Sequence, residues 1–560
     1  MRGKATGREW AWVALVSVLI MGLVTVPYLI GVFAAPPGTT FSGLLFGLED
    51  TYSYIAKMRY GARDGWAYQI VYTTEPHRGG IVYTFYLGLG KLAALISGQG
   101  ATTPAPTFVL AYHTARIVLG LLYLVTLYGF VAEILEPPPQ RRLAWILAAL
   151  AGGLGWGLLV ARLDQGADVH LPVEFYVPEG FSLLLLYGLP HLSLARTLLL
   201  TGWMALFRAV ERGRWYWAAA GGLAWFGMAM IVPFHVGLLG TLLAAWLAGL
   251  WATHRRFPWG RLGWAALAGV PPLLVLAYNA WLFSHDPVYA AWAAQNSLPS
   301  PPIIDYALAY GLLIGLATPG AIQVWRKGLT DRTTLLIVWP LVTAAMVYLP
   351  VNVQRRLLEG VIVPLCILAT FGIWRLVGEK PQARPSTLPL PAETRSQLTW
   401  RLRQVGAGVL LMLLFPSTVL LLAGGIITAL DPEWPVVHPT EELAALDWLR
   451  LHAPPGSIVL ATHESGNLIP AYAGVRVYVG HGPESANGGV KRTQAEAFFH
   501  SGMTGDERRA LLDEAAADYV WIGAAECEGR RASNLCPDLH TLPLREVFRS
   551  GRYAIYEVVR

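Results

Sequence analysis

Apolar runs close to the length of a membrane-spanning helix recur along this chain of 560 residues, and they constrain its fold more than any other feature. An α-helix needs about 20 apolar residues to cross the hydrocarbon core of a bilayer. Charged residues make up only 14% of the chain, whereas soluble globular proteins carry roughly 25%. Runs of suitable length occur at 10–34, 105–132, 142–161, 181–207, 215–232, 234–252, 262–283, 303–324, 333–350, 358–377 and 404–429. The sequence therefore predicts a polytopic α-helical membrane protein with about eleven spans.

The distribution of basic residues predicts the orientation of these spans, because cytoplasmic loops are enriched in Lys and Arg. The loops that carry such clusters lie at 2–8, 141–142, 208–214, 255–261, 326–332 and 375–403. Alternation then places 36–104, 162–180, 284–302, 351–357 and 430–560 outside, with the N-terminus in the cytoplasm. This alternation of inside and outside loops is consistent only if the apolar run 79–97, which contains Lys91, does not cross the membrane. We expect this run and 49–64 to form juxtamembrane or re-entrant helices in the large first external loop.

A change of character near residue 431 predicts a second domain. Residues 1–430 form the membrane domain, in which the Pro-rich polar stretch 378–403 is a cytoplasmic linker. Helix-like segments and short strand-like segments alternate along 431–560, which indicates a small extracytoplasmic α/β domain. The sequence thus predicts a multi-pass cell-membrane protein whose C-terminal domain lies outside the cytoplasm.

Two polar loops in this α/β domain, His463–Asn467 and Gly480–Glu484, follow predicted strands. Ligands of open sheets bind at loops that follow the carboxyl ends of strands. Ordinary polar loops are the alternative. Cys527 and Cys536 flank a third polar loop, and they could form a disulfide if this region is outside, or remain free thiols otherwise.

The formal net charge of +6 is explained by the basic cytoplasmic loops. No soluble segment carries the clustered basic face that a nucleic-acid-binding protein needs. We therefore expect the lipid bilayer, and no nucleic acid, among the partners of the chain.

Two adjacent carboxylates, Glu49 and Asp50, follow the first apolar run. Acidic groups near a bilayer are costly and tend to occur where they pair, bind or react. Asp50 begins an amphipathic segment, so capping of a helix is one explanation. A second is catalysis, since a carboxylate beside an apolar surface can act as a general base. The pair could also hold a divalent cation, although two acids alone are weak evidence for a metal and no cofactor is certain.

Further polar residues are predicted on the same outer side, and they form the set of candidate substrate-binding residues. An arginine pair outside the cytoplasm runs against the usual charge bias and suits bidentate binding of phosphate. For the segment from Glu75 to Arg78 the alternative is a polar turn, and for the histidines it is ordinary hydrogen bonding at the membrane interface. For the arginine pair the alternatives are an interfacial anchor or a salt bridge to Glu359. The candidates are Glu75, His77, Arg78, Asp164, Asp168, His191, His235, Arg355 and Arg356.

These features together resemble the GT-C superfamily of polytopic glycosyltransferases, and in particular the protein O-mannosyltransferases and the aminoarabinose and galacturonic-acid lipid transferases. Glu49-Asp50 resembles the acidic motif of the first external loop in those families. Glu75-Pro76-His77 and Leu89-Gly90-Lys91 resemble their His-Pro-Pro-Leu-Gly-Lys element. The sequence Tyr112-His113-Thr114-Ala115-Arg116 resembles the start of their second span.

The resemblance implies transfer of a sugar from a polyprenyl-phosphate donor to a lipid, glycan or protein acceptor on the extracytoplasmic face. It implies Asp50 or Glu49 as the base that accepts the hydroxyl proton, with arginines stabilising the departing phosphate. Two other functions stay open. The chain could be a polytopic transporter, or a non-catalytic membrane protein whose external α/β domain binds a ligand.

Overall fold

The computed structural model describes residues 5–161, 171–378, 392–500, 503–527 and 542–560. Within these residues the chain is mainly helical. The α-helices in chain order are α1 (Gly7–Ala34), α2 (Leu48–Arg63), α3 (Thr84–Ser97), α4 (Ala105–Ala132), α5 (Pro138–Leu150), α6 (Gly155–Ala161), α7 (Ser182–Gly188), α8 (Pro190–Arg212), α9 (Trp215–Ile231), α10 (His235–His254), α11 (Trp259–His285), α12 (Pro287–Gln295), α13 (Ile303–Arg326), α14 (Asp331–Met346), α15 (Ile362–Val377), α16 (Ala392–Met412), α17 (Pro416–Leu430), α18 (Thr440–His452), α19 (His463–Ala473), α20 (Gly488–His500), α21 (Gly505–Glu514) and α22 (Ala524–Cys527).

Among the described residues, seven helical segments are long and apolar enough to cross a membrane: 7–34, 105–132, 138–161, 235–254, 259–285, 303–326 and 397–430. Other helices at predicted spans are shorter. For example, α14 and α15 have 16 residues each, or about 24 Å at the rise of an α-helix. The run 79–97 forms α3, a 14-residue helix of about 21 Å, which is well short of a bilayer core of about 30 Å. The chain is a multi-pass membrane protein, and the orientation of its termini stays a prediction.

The strands are β1 (Thr39–Phe41), β2 (Val437–Pro439), β3 (Ile458–Leu460), β4 (Arg476–Val477), β5 (Tyr519–Ile522), β6 (Leu544–Ser550) and β7 (Tyr553–Val558). Five of them form one mixed sheet in the order β4-β3-β5-β7-β6. Strand β3 is parallel to β4 and β5, whereas β7 is antiparallel to β5 and β6. The predicted small C-terminal sheet is thus confirmed. The edge strand β6 escaped sequence prediction because charged residues interrupt its apolar pattern.

The described chain divides into two compact units, neither of which is continuous in sequence. Unit 1 comprises Met1–Thr25, Arg116–Ala277 and Leu298–Gly424. Unit 2 comprises Val26–Ala115, Tyr278–Ser297 and Gly425–Arg560. The C-terminal sheet therefore shares a compact unit with the segment that contains Glu49 and Asp50. The boundary at residue 430 that the sequence suggests stays a prediction.

In unit 1, helices α13 and α15 approach each other closely through glycine. A Cβ atom at Gly320 would lie 2.0 Å from the carbonyl oxygen of Leu368, and one at Gly372 would lie 2.0 Å from that of Leu316. Small residues permit such backbone contact between apolar helices, where van der Waals packing supplies much of the association energy. The two glycines are therefore required for this helix pair.

We expect Gly320→Leu to lower the free energy of unfolding by more than about 3 kcal/mol, because the new side chain has no space to occupy beside Leu368. Gly315→Leu on the same helix is the matched control, since no heavy atom lies within 4 Å of its Cβ position. Thermal unfolding of both variants in detergent measures the difference. Equal melting temperatures would contradict this account of the α13–α15 contact.

In unit 2, helices α2 and α3 pack by the same means. A Cβ atom at Gly90 would lie 1.8 Å from the carbonyl oxygen of Met58, and one at Gly61 would lie 2.3 Å from that of Leu87. Lys91 Nζ donates to the carbonyl oxygen of Asp64 at 2.9 Å. The Leu89-Gly90-Lys91 segment of α3 thus packs against α2 and holds the two short helices together. Helix α2 carries Glu49 and Asp50 at its N-terminus.

Candidate functional site

Glu49 and Asp50 lie in the first turn of α2. The residue before this helix, Gly47, has a φ of 54°, in the left-handed region that glycine adopts readily. It offers no side chain to the free N–H groups of the first turn. Both carboxylates therefore lie at the positive end of the helix dipole, where negative charge is favoured. Their side chains are 51% and 57% exposed, so both are accessible to a substrate.

Glu49 is tied to residues of the C-terminal sheet region. Its Oε1 accepts a hydrogen bond from the backbone N–H of Gly482 at 2.8 Å and lies 3.5 Å from His463 Nε2. The contact with His463 is the largest of the effects that lower the pKa of Glu49 to about 2. Burial is the second-largest effect and opposes this lowering of the pKa, whereas the Gly482 N–H adds to it. Glu49 is thus a firmly held carboxylate and a weak base.

Asp50 contacts a different histidine. Its Oδ1 lies 3.3 Å from Nε2 of His481, which is only 4% exposed. Burial alone would lower the pKa of His481, but Glu484 and Asp50 outweigh it and raise that pKa above its ordinary value. The loop between β4 and α20 thus holds His481 against the carboxylate of Asp50, and the two neighbouring carboxylates favour its protonated form.

Behind His481 lies a buried ion pair. Lys57 Nζ is 2.7 Å from Glu484 Oε1, and the two side chains are 0% and 2% exposed. Oε1 of Glu484 also lies 3.8 Å from His481 Nδ1. Burial lowers the pKa of Lys57. Burial alone would raise the pKa of Glu484, but the two neighbouring cations hold it below its usual value. Asp50, His481, Glu484 and Lys57 thus form a line of alternating charges, here called the charge row.

Hydroxyl groups complete the surroundings of Glu484. Ser53 and Tyr83 donate to its Oε1 at 3.2 Å each, and Tyr68 donates to Oε2 at 3.4 Å. Lys57 donates to Ser53 Oγ as well, and its ammonium lies 4.0 Å from the centre of the Tyr83 ring. These contacts satisfy both charges of the pair, which a buried ion pair requires in order to be tolerated.

A cleft of about 280 Å³ opens beside Glu49 and His481. The two polar loops identified in the sequence both contribute to it, although His463 begins helix α19 instead of lying in a loop. Its lining residues are Glu49, His463, His481, Gly482, Ser485, Gly488, Gly489 and Arg492.

The proposed metal site at Glu49 and Asp50 finds little support in the ligands present. Among the described residues, no group of three or more His, Cys, Asp or Glu side chains is arranged to hold an ion. The two carboxylates contact two different histidines, each through one oxygen. The side chains at this site therefore do not fit a metal centre, and no chemical step is assigned to one.

The Glu75 to Arg78 segment lies in the same unit. Glu75 forms an ion pair with the buried Lys491, with 2.7 Å between Oε1 and Nζ. His77 uses both ring nitrogens for the backbone: Nδ1 lies 2.8 Å from the carbonyl oxygen of Glu75, and Nε2 accepts from the Ile70 N–H at 2.8 Å. Burial lowers the pKa of His77. Arg78 is exposed. Of the three, its side chain is the one placed to meet an anion.

The remaining candidates belong to unit 1. Arg355 and Arg356 are half-buried in a short 3₁₀ helix, Gln354–Leu358. The Arg355 guanidinium lies 5.2 Å from the ring centre of Tyr176, and Arg356 Nε lies 3.6 Å from Glu179 Oε1. His191 is half-buried in the first turn of α8. Asp164 and Asp168 lie outside the described residues, as does Cys536, whereas Cys527 is disulfide-bonded.

His235 lies beside a fully buried ion pair. Arg196 binds Glu359 with Nε at 2.6 Å and a second nitrogen at 3.1 Å, and it also donates to the carbonyl oxygen of Glu179 at 2.6 Å. His235 Nε2 is 3.7 Å from Glu359 Oε2, and neither of its ring nitrogens is hydrogen-bonded within the described part of the chain. Glu359 is therefore bound by Arg196, and not by Arg355 or Arg356 as one sequence alternative held.

Three residues of the charge row were missing from the sequence-based set of site residues. His481 and Glu484 lie in a polar loop that the sequence did indicate as a ligand-binding loop, but their partners on α2 could not be deduced from spacing. One sequence feature could have identified Lys57, namely its position inside the amphipathic segment that Asp50 begins. A lysine on the buried face of such a helix needs an anionic partner.

Comparisons with known proteins bear on the fold. No protein-family model matches the chain. The oligosaccharyltransferase of Archaeoglobus fulgidus, solved with a tethered acceptor peptide, superposes with a TM-score of 0.50 at 12% identity, and the match covers 90% of this chain and 69% of that one. ArnT of Cupriavidus metallidurans, solved bound to undecaprenyl phosphate, gives a TM-score of 0.49 at 14% identity over 97% and 98% of the two chains.

One curated protein also matches in sequence. It is named an uncharacterized transporter, YdeK of Bacillus subtilis, and is 29% identical over 208 residues, which cover 33% of this chain and 68% of that protein.

The structural match to the oligosaccharyltransferase, in contrast, extends over 90% of this chain. This protein therefore has the fold of the GT-C glycosyltransferases.

Proposed function

We propose that the protein transfers a sugar from a polyprenyl-phosphate donor to a hydroxyl group of a lipid, glycan or protein acceptor on the extracytoplasmic face of the membrane. One observation carries the proposal: an exposed pair of carboxylates lies at the N-terminus of α2, the first of which, Glu49, lines a cleft, in a chain with the GT-C fold. The oligosaccharyltransferase that shares this fold was solved with an acceptor peptide, which supports group transfer to an acceptor.

Asp50 is the base in this proposal, and the environments of the two carboxylates support that choice. The contacts of Glu49 with His463 and Gly482 lower its pKa to about 2, so it would accept a proton poorly. The side chain of Asp50 is slightly more exposed than that of Glu49, at 57% against 51%. Glu49 instead links α2 to the loop and helix that line the cleft.

The reaction needs no covalent intermediate with the protein. Asp50 takes the proton of the acceptor hydroxyl while its oxygen attacks the anomeric carbon of the sugar. A new glycosidic C–O bond forms as the bond from the anomeric carbon to the phosphate oxygen breaks. The bonding electrons leave with the lipid phosphate, which is an anion and benefits from nearby positive charge.

Arg355 and Arg356 are the proposed ligands of the donor phosphate. Both are half-buried, and arginine binds phosphate through paired, charge-assisted hydrogen bonds. Arg196 is unsuited to this role because it is fully buried and its Nε and one terminal nitrogen already bind Glu359 and the carbonyl oxygen of Glu179. We further propose Arg78, His191 and His235 as substrate contacts, together with Glu75, His77, Asp164 and Asp168 as predicted from the sequence.

We expect Arg355→Gln to raise the KM for the donor about tenfold to a hundredfold, which corresponds to losing one charge-assisted hydrogen bond. Arg326→Gln, at the end of α13, serves as the matched control and should leave that KM unchanged. Steady-state kinetics in nanodiscs over a range of donor concentrations provide the measurement. An unchanged KM in Arg355→Gln and Arg356→Gln would remove both arginines from the donor site.

The function itself is tested with the purified full-length chain in nanodiscs, supplied with hexosyl and pentosyl polyprenyl phosphates. We expect acceptor-dependent release of polyprenyl phosphate and of a glycosylated acceptor, followed by thin-layer chromatography and mass spectrometry. The second candidate function, transport, is favoured by the partial sequence match to the protein named as a transporter. Flux of a solute across proteoliposomes, without release of polyprenyl phosphate from any donor, would support transport and overturn our proposal.

A further inference from the structure

We propose that His481 is a positioning residue for Asp50, so that the C-terminal α/β region completes the reacting centre instead of only covering it. This inference rests on the proposed function, because it assumes that Asp50 reacts with the acceptor. It assigns a role to a residue that lies 431 positions from Asp50 in the sequence. The contact joins His481 Nε2 to Asp50 Oδ1 at 3.3 Å.

The first support is the way in which α2 meets the loop that carries His481. Asp50, Ser53 and Lys57 occupy positions i, i+3 and i+7 of the helix, and residues at that spacing share one face. Ser53 and Lys57 bind Glu484, three residues beyond His481 in the same loop. Two buried contacts, one and two turns further along the helix, therefore fix the position of the loop that presents His481 to Asp50.

The second support is the rigidity of this loop. Ser485 Oγ accepts hydrogen bonds from the backbone N–H groups of Gly480 and His481, at 3.1 and 3.3 Å. The side-chain amide of Gln295, at the end of α12, donates to the carbonyl oxygens of Pro483 and Ser485 at 3.2 and 2.9 Å. Ser485 and Gln295 thus fix the backbone of the loop that carries His481 from two sides. A residue that orients a reacting group needs such support from its surroundings.

The third support is the charge on His481. The charged groups around its ring are Asp50, Lys57 and Glu484, with Glu49 at the rim of the same cleft, and the ring of Tyr72 packs at 5.5 Å. Nε2 lies 3.3 Å from Asp50 Oδ1, whereas Nδ1 lies 3.8 Å from Glu484 Oε1, which is close enough for charge attraction but too far for a hydrogen bond. The imidazolium offers an N–H to Asp50 and a positive charge to both carboxylates, whereas the neutral ring has a single N–H and no charge. The position of His481 between two anions therefore favours the doubly protonated ring.

The sign of the resulting pH dependence follows from the raised pKa of His481. The His481 ring is fully protonated below that pKa and loses its positive charge as the pH rises through it. Above it the ring has a single N–H, and the tautomer that carries this proton on Nδ1, on the side of Glu484, has no N–H to offer Asp50. We expect kcat to fall on this alkaline side in the native protein, because Asp50 then loses its fixed orientation. A glutamine at 481, which does not titrate, should remove this limb of the profile.

The experiment compares His481→Ala and His481→Gln with the native full-length protein in nanodiscs, supplied with a polyprenyl-phosphate sugar. The alanine should lower kcat about tenfold to a hundredfold with little change in the KM for the donor. Glutamine can still donate one hydrogen bond, and it should restore kcat to within about threefold of the native value near neutral pH. His452→Gln on α18, an exposed histidine of the same unit, is the matched control and should have native kinetics.

The outcomes separate this inference from the proposed function. Native kcat in His481→Ala, combined with an inactive Asp50→Asn, would overturn the role of His481 and leave the proposed base in place. Full activity of Asp50→Asn would overturn the base itself. If the alanine variant does not fold, the pH profile of His481→Gln decides the question. An alkaline limb identical to that of the native protein would overturn the inference.

Discussion

Replacement of Asp50 by asparagine should reduce kcat by about a hundredfold to ten-thousandfold, the range over which a positioned general base contributes to catalysis. Asparagine has nearly the same shape and keeps an oxygen within reach of His481, so folding should be retained. The amide, however, cannot accept the hydroxyl proton. Turnover of a polyprenyl-phosphate sugar by purified protein in nanodiscs measures the effect, and the melting temperature confirms that the fold is intact.

Glu49→Gln is the matched comparison, one residue away in the same helical turn. Its carboxylate is bound by Gly482 and lies beside His463, and its low pKa makes it a poor base. We therefore expect a much smaller loss of kcat, together with a lower melting temperature, since the amide loses its charge beside His463. The opposite ranking, with Glu49→Gln inactive and Asp50→Asn active, would assign the base to Glu49.

Removal of the buried anion should produce the largest effect on stability. In Glu484→Ala, the ammonium of Lys57 remains buried, 0% exposed, with its principal counter-charge gone. Breaking a buried ion pair on one side typically costs about 3–5 kcal/mol, because an uncompensated charge is left away from water. Thermal or chemical unfolding of the purified protein measures this loss.

A double variant distinguishes the cost of the orphaned charge from general disruption. Lys57→Met combined with Glu484→Leu replaces both charges by apolar groups of similar size, and it should recover much of the lost stability. Glu557→Gln, which removes the exposed partner of Arg545 between β6 and β7, should change stability by less than about 1 kcal/mol. If the double variant is no more stable than Glu484→Ala, the ion pair is not the source of the effect.

Sequence reasoning worked where a single local pattern carried the information. Helix α3 was expected not to cross the membrane, because the charge pattern left no room for another span; it has only 14 residues, and its position relative to the membrane stays a prediction. The carboxylates of Glu49 and Asp50 were identified because charge beside an apolar run is costly. The seven long apolar helices likewise follow directly from composition.

Sequence reasoning failed where the role of a residue depends on a partner that is distant in the sequence. The Leu89-Gly90-Lys91 element was noted as a motif, but nothing in its spacing shows that Gly90 must accommodate the backbone of Met58. Likewise, Glu359 was considered as a partner for the arginines nearby in sequence, whereas it binds Arg196, 163 positions away. Local spacing says nothing about contacts that only the tertiary fold creates.

The charge row has a consequence for biosynthesis. Lys57 and its anionic partner are 427 residues apart, and unit 2 is assembled from three separate stretches of the chain. At a synthesis rate of about 5–20 residues per second, Glu484 follows Lys57 by about 20–90 s. During that interval α2 has left the ribosome with Asp50 in place but with neither His481 nor Glu484 available. A nascent or prematurely terminated chain thus carries the base without its partners, and the site is completed only when most of the protein has been made.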